Sequence, residues 1–176
     1  MYKLLTRIIQ KRMEIILDEN QPRKQAGFRK GFSTTDHLYV TNQIIEKSNE
    51  YNLPLCIGFI DYEKAFDSVE HIAMFNALIN MNIPSTCINI LQDIYINTTA
   101  RIHLHKEVSS VINIKRGVRQ GDPISPKLFT ATIEEVFKQS QLDSNGLKID
   151  GERLTDLRFA DHVTLCDFHR KIGNSI

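Results

Sequence analysis

A chain of 176 residues with 41% hydrophobic content suits one domain, or part of one, around a single buried core. Its 22 Lys and Arg nearly cancel its 21 Asp and Glu, so overall charge does not point to a polyanionic partner. Cys56, Cys87 and Cys166 lie far apart with no Cys-x-x-Cys pair, which argues against a disulfide framework and a zinc site and predicts an intracellular, reducing setting.

The N-terminus is too charged for a signal peptide, and no run approaches the ~20 apolar residues of a membrane span, so a soluble protein without a membrane partner is expected. Leu4, Leu5, Ile8, Ile9, Met13, Ile16 and Leu17 recur at helical spacing, predicting an amphipathic helix from almost the first residue. No cap or turn precedes it, so the natural chain is expected to continue upstream. Residues 1–30 hold eight basic side chains against three acidic ones, an excess that suits phosphates and equally suits a solvated helix face and loop. Pro22, Gly27 and Gly31 mark residues 20–32 as a loop. Ser33-Thr34-Thr35-Asp36 has the spacing of a capping box and opens a second helix to about Tyr51.

After Asn52 and Pro54, the continuous apolar run 55–60 predicts a strand buried on both faces, with Asp61 at its end. Helical spacing then continues from Val69 to Met81, and Pro84 opens another helix through Ile88, Leu91, Ile94 and Tyr95. Alternation over 101–105 and 111–115 predicts a hairpin, and 126–138 a helix. Leu147-Lys148-Ile149, an Asp150-Gly151 turn and the runs flanking Ala160-Asp161-His162 predict small antiparallel strands.

Asp61 at a strand end and Asp161 at a hairpin tip are carboxylates that can converge. Nucleotidyl transfer uses such a pair, because Mg²⁺ is held by one or two carboxylates plus substrate phosphates, and two ions stabilise the attacking and leaving oxygens. Either Asp taken singly is also an ordinary turn residue. What lifts the pair above coincidence is the company it keeps: Phe-x-Asp-x-x-x-Ala-Phe-Asp, Gly-x-x-x-Gly-Asp-Pro-x-Ser-Pro and Phe-Ala-Asp follow one another in one short chain.

These segments resemble the reverse transcriptases of retrotransposons lacking long terminal repeats and of group II introns. The stretch from Gln25-Ala26-Gly27-Phe28-Arg29-Lys30-Gly31 to His37 is similar to their finger-side motif. Ile60-Asp61-Tyr62-Glu63-Lys64-Ala65-Phe66-Asp67 is similar to motif A, the segment from Gly117 to Pro126 to motif B, and Phe159-Ala160-Asp161-His162 to motif C. The resemblance covers residues 2–167. It implies an α+β fold: a polymerase palm, in which a small antiparallel sheet packs on helices, with part of the fingers and no thumb. Residues 1–176 would form a partial domain, about 1–54 supplying fingers-side helices and loop and 55–170 the palm.

The resemblance further implies that Asp61 and Asp161 are catalytic and bind Mg²⁺ or Mn²⁺, and that Phe66 is a steric gate against a ribose 2′-OH. Core packing is the other reading of Phe66. Gln120 and Gly121 correspond to positions beside the incoming nucleotide, or to a plain loop before a helix. Arg29, Lys30 and Arg119, with Lys115 and Arg116, are candidates for phosphate contacts, although each taken singly reads first as solvated surface. Asp67 reads as structural, a cap for the helix near Val69. The implied partners are an RNA template, a DNA primer and deoxynucleoside triphosphates, in the nucleus or cytoplasm by analogy.

The sequence departs from the family at His162, where motif C has a second Asp, and imidazole is a poor replacement because Mg²⁺ demands hard oxygen ligands. The upstream fingers strand, motif D and thumb are not seen either. An RNA-directed DNA polymerase fragment with impaired turnover is therefore expected. The alternatives are a non-catalytic nucleic-acid-binding remnant and a product without function.

Overall fold

The computed structural model describes residues 1–96, 98–105, 107–140, 147–149 and 152–168. The elements in chain order are α1 (Tyr2–Glu19), α2 (Thr34–Glu50), β1 (Leu55–Asp61), α3 (Ala65–Ser68), α4 (His71–Asn80), α5 (Ser85–Tyr95), β2 (Thr99–Ala100), β3 (His103–Leu104), β4 (Glu107–Val108), β5 (Ile112–Asn113), α6 (Ser125–Gln139), β6 (Leu147–Ile149), β7 (Glu152–Leu154), β8 (Asp156–Phe159) and β9 (His162–Phe168). They divide between two units, Met1–Gln21 with Lys64–Glu135, and Pro22–Glu63 with Val136–Ile176. No described helix is long and apolar enough to cross a membrane.

In the first unit, α1 buries Thr6, Ile9, Met13 and Leu17, a single stripe at helical spacing. This corrects the broader apolar stripe expected from the sequence, because Leu4, Leu5 and Ile8 are exposed. Thr6 can occupy the buried stripe because its hydroxyl donates back to Lys3 O at 3.2 Å, leaving no unpaired polar group. α4 packs against α5, and Pro84 occupies the N-cap position of α5.

The expected hairpin is nested: β3 pairs with β4 at the tip, while β5 pairs with β2 rather than with residues 101–105. Between the two short ladders Ser109 N–H donates to Ile102 O at 2.9 Å, and the Ser109 hydroxyl accepts from Ile102 N–H. Asp67 lies inside α3, and Glu70 is the N-cap of α4, so Asp67 is not the cap expected of it.

In the second unit, the capping box forms at the start of α2, with the Asp36 carboxylate accepting from Ser33 N–H at 2.8 Å. β1, β9 and β8 form an antiparallel sheet with β9 in the middle, and β6 pairs with β7. Ile44, Leu147 and Cys166 form a buried cluster covered by Val40, Leu55, Ile57 and Leu154, so α2, β1, β6, β7 and β9 share one core. The Asp150-Gly151 turn lies outside the described residues.

The expectation that β1 is buried on both faces is overturned. It lies at the edge of its sheet, only Leu55 and Ile57 are partly covered, and Phe59 is 77% exposed. A continuous apolar run implies two covered faces only where layers lie on both sides.

Candidate active site

The second unit brings Asp61 and Asp161 together. Antiparallel pairing places Asp61, the last residue of β1, opposite His162, the first of β9. Phe159 pairs with His162, so Ala160 and Asp161 are the two-residue loop of the β8–β9 hairpin, a connection that reverses the chain in the least space. His162 lies against both carboxylates: Nδ1 is 3.1 Å from Asp161 Oδ1, and Nε2 is 3.6 Å from Asp61 Oδ1. One donor atom from each of the three residues falls within 4.8 Å of the others. Asp61 and His162 are open to solvent and Asp161 partly so.

A contact invisible to sequence periodicity braces this tip. Ala160 has φ +57°, a left-handed conformation costing a non-glycine residue roughly 1–3 kcal/mol. Behind it the fully buried Gln25 accepts with Oε1 from Ala160 N–H at 3.0 Å and from Gly27 N–H at 2.9 Å. The same loop pairs with β8 through Ala26 N–H to Arg158 O and Arg158 N–H to Lys24 O. A side chain on Gly27 would place its Cβ 2.3 Å from Ala160 N. The Gln-Ala-Gly of the finger-side motif is thus a support for the motif C turn.

Beneath the hairpin, Asp156 on β8 is fully buried. Its carboxylate accepts from Arg158 Nε and the Thr155 hydroxyl, with Lys24 Nζ at 3.5 Å. Burial alone would raise its pKa, but the hydrogen bonds and charges of Arg158, Thr155 and Lys24 outweigh it and hold the carboxyl below its usual range. Arg158 stacks on Phe137, 3.7 Å from the ring centroid. The signal available in sequence was Asp156-Leu157-Arg158, two opposite charges sharing one face of a strand.

The remaining candidates are spread over both units. Arg29, in the second unit, donates to Pro22 O at 2.7 Å and stacks over Phe32, fastening its own loop, and Lys30 is exposed. In the first unit, Phe66 stacks on Phe129 with centroids 4.5 Å apart. Gln120 donates to Asp67 Oδ1 at 3.2 Å, which gives Asp67 a structural partner. Gly121 has φ +77°, a backbone conformation that favours glycine, and no protein atom within 4 Å of a notional Cβ.

Arg119 donates to Ile94 O at 3.0 Å and Thr98 Oγ1 at 2.9 Å, and its guanidinium lies 4.7 Å from the Tyr2 ring centroid. Tyr2 also donates to the buried Asp122 at 2.7 Å, and burial, reinforced by Asp122, pushes its phenol pKa up. Asp122 follows Gly121 in motif B, and its bond to Tyr2, 120 residues away, has no signal in the sequence.

The family profile described as reverse transcriptase (RNA-dependent DNA polymerase) matches residues 1–170. A retrovirus-related Pol polyprotein from the type-1 retrotransposable element R2 of Nasonia vitripennis is 30% identical over 142 residues, 81% of this chain and 14% of that protein. Its counterpart in Popillia japonica is 29% identical over 167 residues, 94% of this chain and 23% of that protein. This chain therefore spans less than a quarter of either polyprotein. Among solved structures, apo telomerase from Candida tropicalis, truncated from its C-terminal domain, superposes with a TM-score of 0.60 at 14% identity, over 90% of this chain and 33% of that one. That likeness is one of fold, and the helices with small antiparallel sheets fit a partial palm and fingers. With the profile running from residue 1 to residue 170, the chain belongs to the reverse transcriptase (RNA-dependent DNA polymerase) family.

Proposed function

We propose that this chain carries the carboxylate centre of an RNA-directed DNA polymerase that extends a DNA primer along an RNA template with deoxynucleoside triphosphates, as the retrotransposon relatives suggest. One observation carries the reading: Asp61 and Asp161, far apart in sequence, converge at adjoining strand ends with solvent access. Two carboxylates of this kind fit hard divalent ions such as Mg²⁺ or Mn²⁺. Such ions, when bound, neutralise phosphate charge and activate the attacking hydroxyl. The chain's own contribution is positional, since Asp61 is fixed by the β1–β9 register and Asp161 by a turn held from behind by Gln25. Phe66, Gln120 and Gly121 are proposed to meet the nucleotide. Arg29 and Lys30 are proposed to meet nucleic-acid phosphates, and Arg119 to brace the segment that carries Gln120 and Gly121.

His162 does not fit an all-oxygen site, and we expect it to impair turnover with Mg²⁺. Its ring against both carboxylates also favours a second reading, a binder of nucleic acid without catalysis. Primer extension on an RNA template separates the two, comparing the chain with His162→Asp and with His162→Asp combined with Asp61→Ala. Extension gained by the first variant and abolished in the second supports the polymerase reading. No extension from any of them supports the passive binder.

A further inference from the structure

We propose that Asp61, Asp161 and His162 form a mixed carboxylate–imidazole site selecting a divalent transition ion, with Co²⁺ as its probe, over Mg²⁺. This deepens the proposed function and rests on its assignment of Asp61 and Asp161 as ion ligands. The starting point is a mismatch in chemistry. Mg²⁺ takes oxygen ligands in near-ideal octahedral geometry and gives up water reluctantly. Here the ring of His162 occupies the ground between the two carboxylates, and its nitrogens lie closer to them than the 4.8 Å that bounds the three-atom set. An oxygen-only ion would have to accept a nitrogen or lose that position to the ring.

A transition ion resolves the mismatch. Imidazole suits Zn²⁺ and its neighbours, and affinity for nitrogen-containing sites rises along the first row from Mn²⁺ through Co²⁺ to Cu²⁺. Donor atoms bonded to one such ion at ~2.0–2.2 Å are themselves roughly 3–3.5 Å apart. The 3.1 Å between His162 Nδ1 and Asp161 Oδ1 matches that spacing, and ligand atoms, one each from Asp61, Asp161 and His162, lie within 4.8 Å of one another, a separation that rotation of these solvent-accessible side chains can close onto one ion. Imidazole gives one nitrogen to an ion and keeps the other for hydrogen bonding, and a neighbouring carboxylate is the usual partner of that second nitrogen. The side chains of Asp61 and His162 are 72% and 66% exposed, so replacing either removes a ligand without opening the core.

The test is calorimetric titration of the full chain with Co²⁺ and, separately, Mg²⁺, with the visible spectrum of bound Co²⁺ as a second readout and circular dichroism to verify folding. Losing an outer partner of a metal ligand already costs roughly 10–100-fold in affinity, so losing the ligand itself should cost at least about tenfold. We expect Co²⁺ to bind more tightly than Mg²⁺, His162→Ala to weaken Co²⁺ by about tenfold or more and alter its spectrum, and His162→Asp to shift preference toward Mg²⁺. Unchanged Co²⁺ affinity in His162→Ala, with Asp61→Asn still weakening it, overturns this inference and leaves the carboxylate centre standing. Unchanged affinity in both Asp61→Asn and Asp161→Asn overturns the carboxylate centre as well.

Discussion

Gln25 and Ala160 lie 135 residues apart, yet the Gln25 side-chain oxygen accepts the Ala160 backbone N–H at 3.0 Å inside the protein. The bond holds a hairpin residue in a left-handed conformation and so fixes the direction in which its neighbour Asp161 leaves the turn. Gln25→Ala strands the N–H groups of both Gly27 and Ala160 away from water. Each buried group left unpaired costs about 1–3 kcal/mol. Urea denaturation should show a loss of that order, with Gln25→Glu, which keeps an acceptor, losing less. Equal midpoints for Gln25→Ala and the parent chain would remove the support assigned to this side chain.

Gly27 and Gly58 give a paired comparison. A Cβ on Gly27 would meet Ala160 N at 2.3 Å and Ala160 Cα at 2.9 Å, both backbone atoms that cannot swing aside, whereas on Gly58 the nearest atom is Leu165 Cβ at 3.9 Å. Overpacking of this kind costs about 1–3 kcal/mol. Gly27→Ala should therefore lower the melting temperature and displace the Asp161 turn. Gly58→Ala, in a strand where glycine is a poor former, should be neutral or mildly stabilising. The reverse ranking in a thermal melt would contradict the close approach of loop and turn.

Much of this arrangement could be read in the chain itself, and the failures share a cause. Asp161 was legible as a hairpin tip because strand-like residues flank a short turn, and Asp61 because it ends an apolar run. The motif order then joined them. What periodicity could not supply was the identity of the layer, if any, lying over a given face. Phe59 and Ile60 looked like core residues because they are apolar, but β1 is an edge strand and leaves them exposed. Arg119 is a phosphate candidate in sequence because it is basic and beside motif B, and its bracing contacts have no sequence signal. Its hydrogen bonds to Ile94 and Thr98 and its stacking on Tyr2 depend on tertiary structure.

Arg119 and Lys30 should therefore behave differently when removed. A hydrogen bond to a charged group contributes about 1.5–3 kcal/mol, so Arg119→Ala should lower stability by about that amount, and Arg119→Lys, without the planar fork, should only partly restore it. Lys30 is exposed, and Lys30→Ala should leave the melt unchanged. If it meets a phosphate, its removal weakens binding to an RNA–DNA duplex uniformly across sequences and reduces the salt slope by about 1. A lower salt slope for Arg119→Ala with unaltered stability would reverse these roles.

Asp156 sets an acid limit on the hairpin. Its carboxyl is held below the usual range by Arg158, Thr155 and Lys24 against the opposing effect of burial. In the unfolded chain an Asp titrates near ~3.9. Because the folded value is the lower of the two, the folded state binds fewer protons, and the carboxylate's contribution is fully present above ~3.9 and is lost as pH falls from there through the depressed folded value. The groups facing it are its counter-charges Lys24 and Arg158 and the thiol of Cys166, whose pKa is raised by burial and then by Asp156 itself and so moves away from this window. His37, lowered by burial against the opposing charge of Asp36, also loses its contribution on acidification, but starting near ~6.5. Asp156→Asn isolates the lower step. At neutral pH it leaves Arg158 and Lys24 without their buried counter-charge, a change that costs about 3–5 kcal/mol. Urea midpoints measured from pH 7 to 3 should show the deficit of Asp156→Asn holding steady down to about pH 4 and then shrinking, as the parent protein protonates the same group. A deficit that stays constant to pH 3 would mean that the charge of Asp156 contributes nothing to holding the strand that presents Asp161.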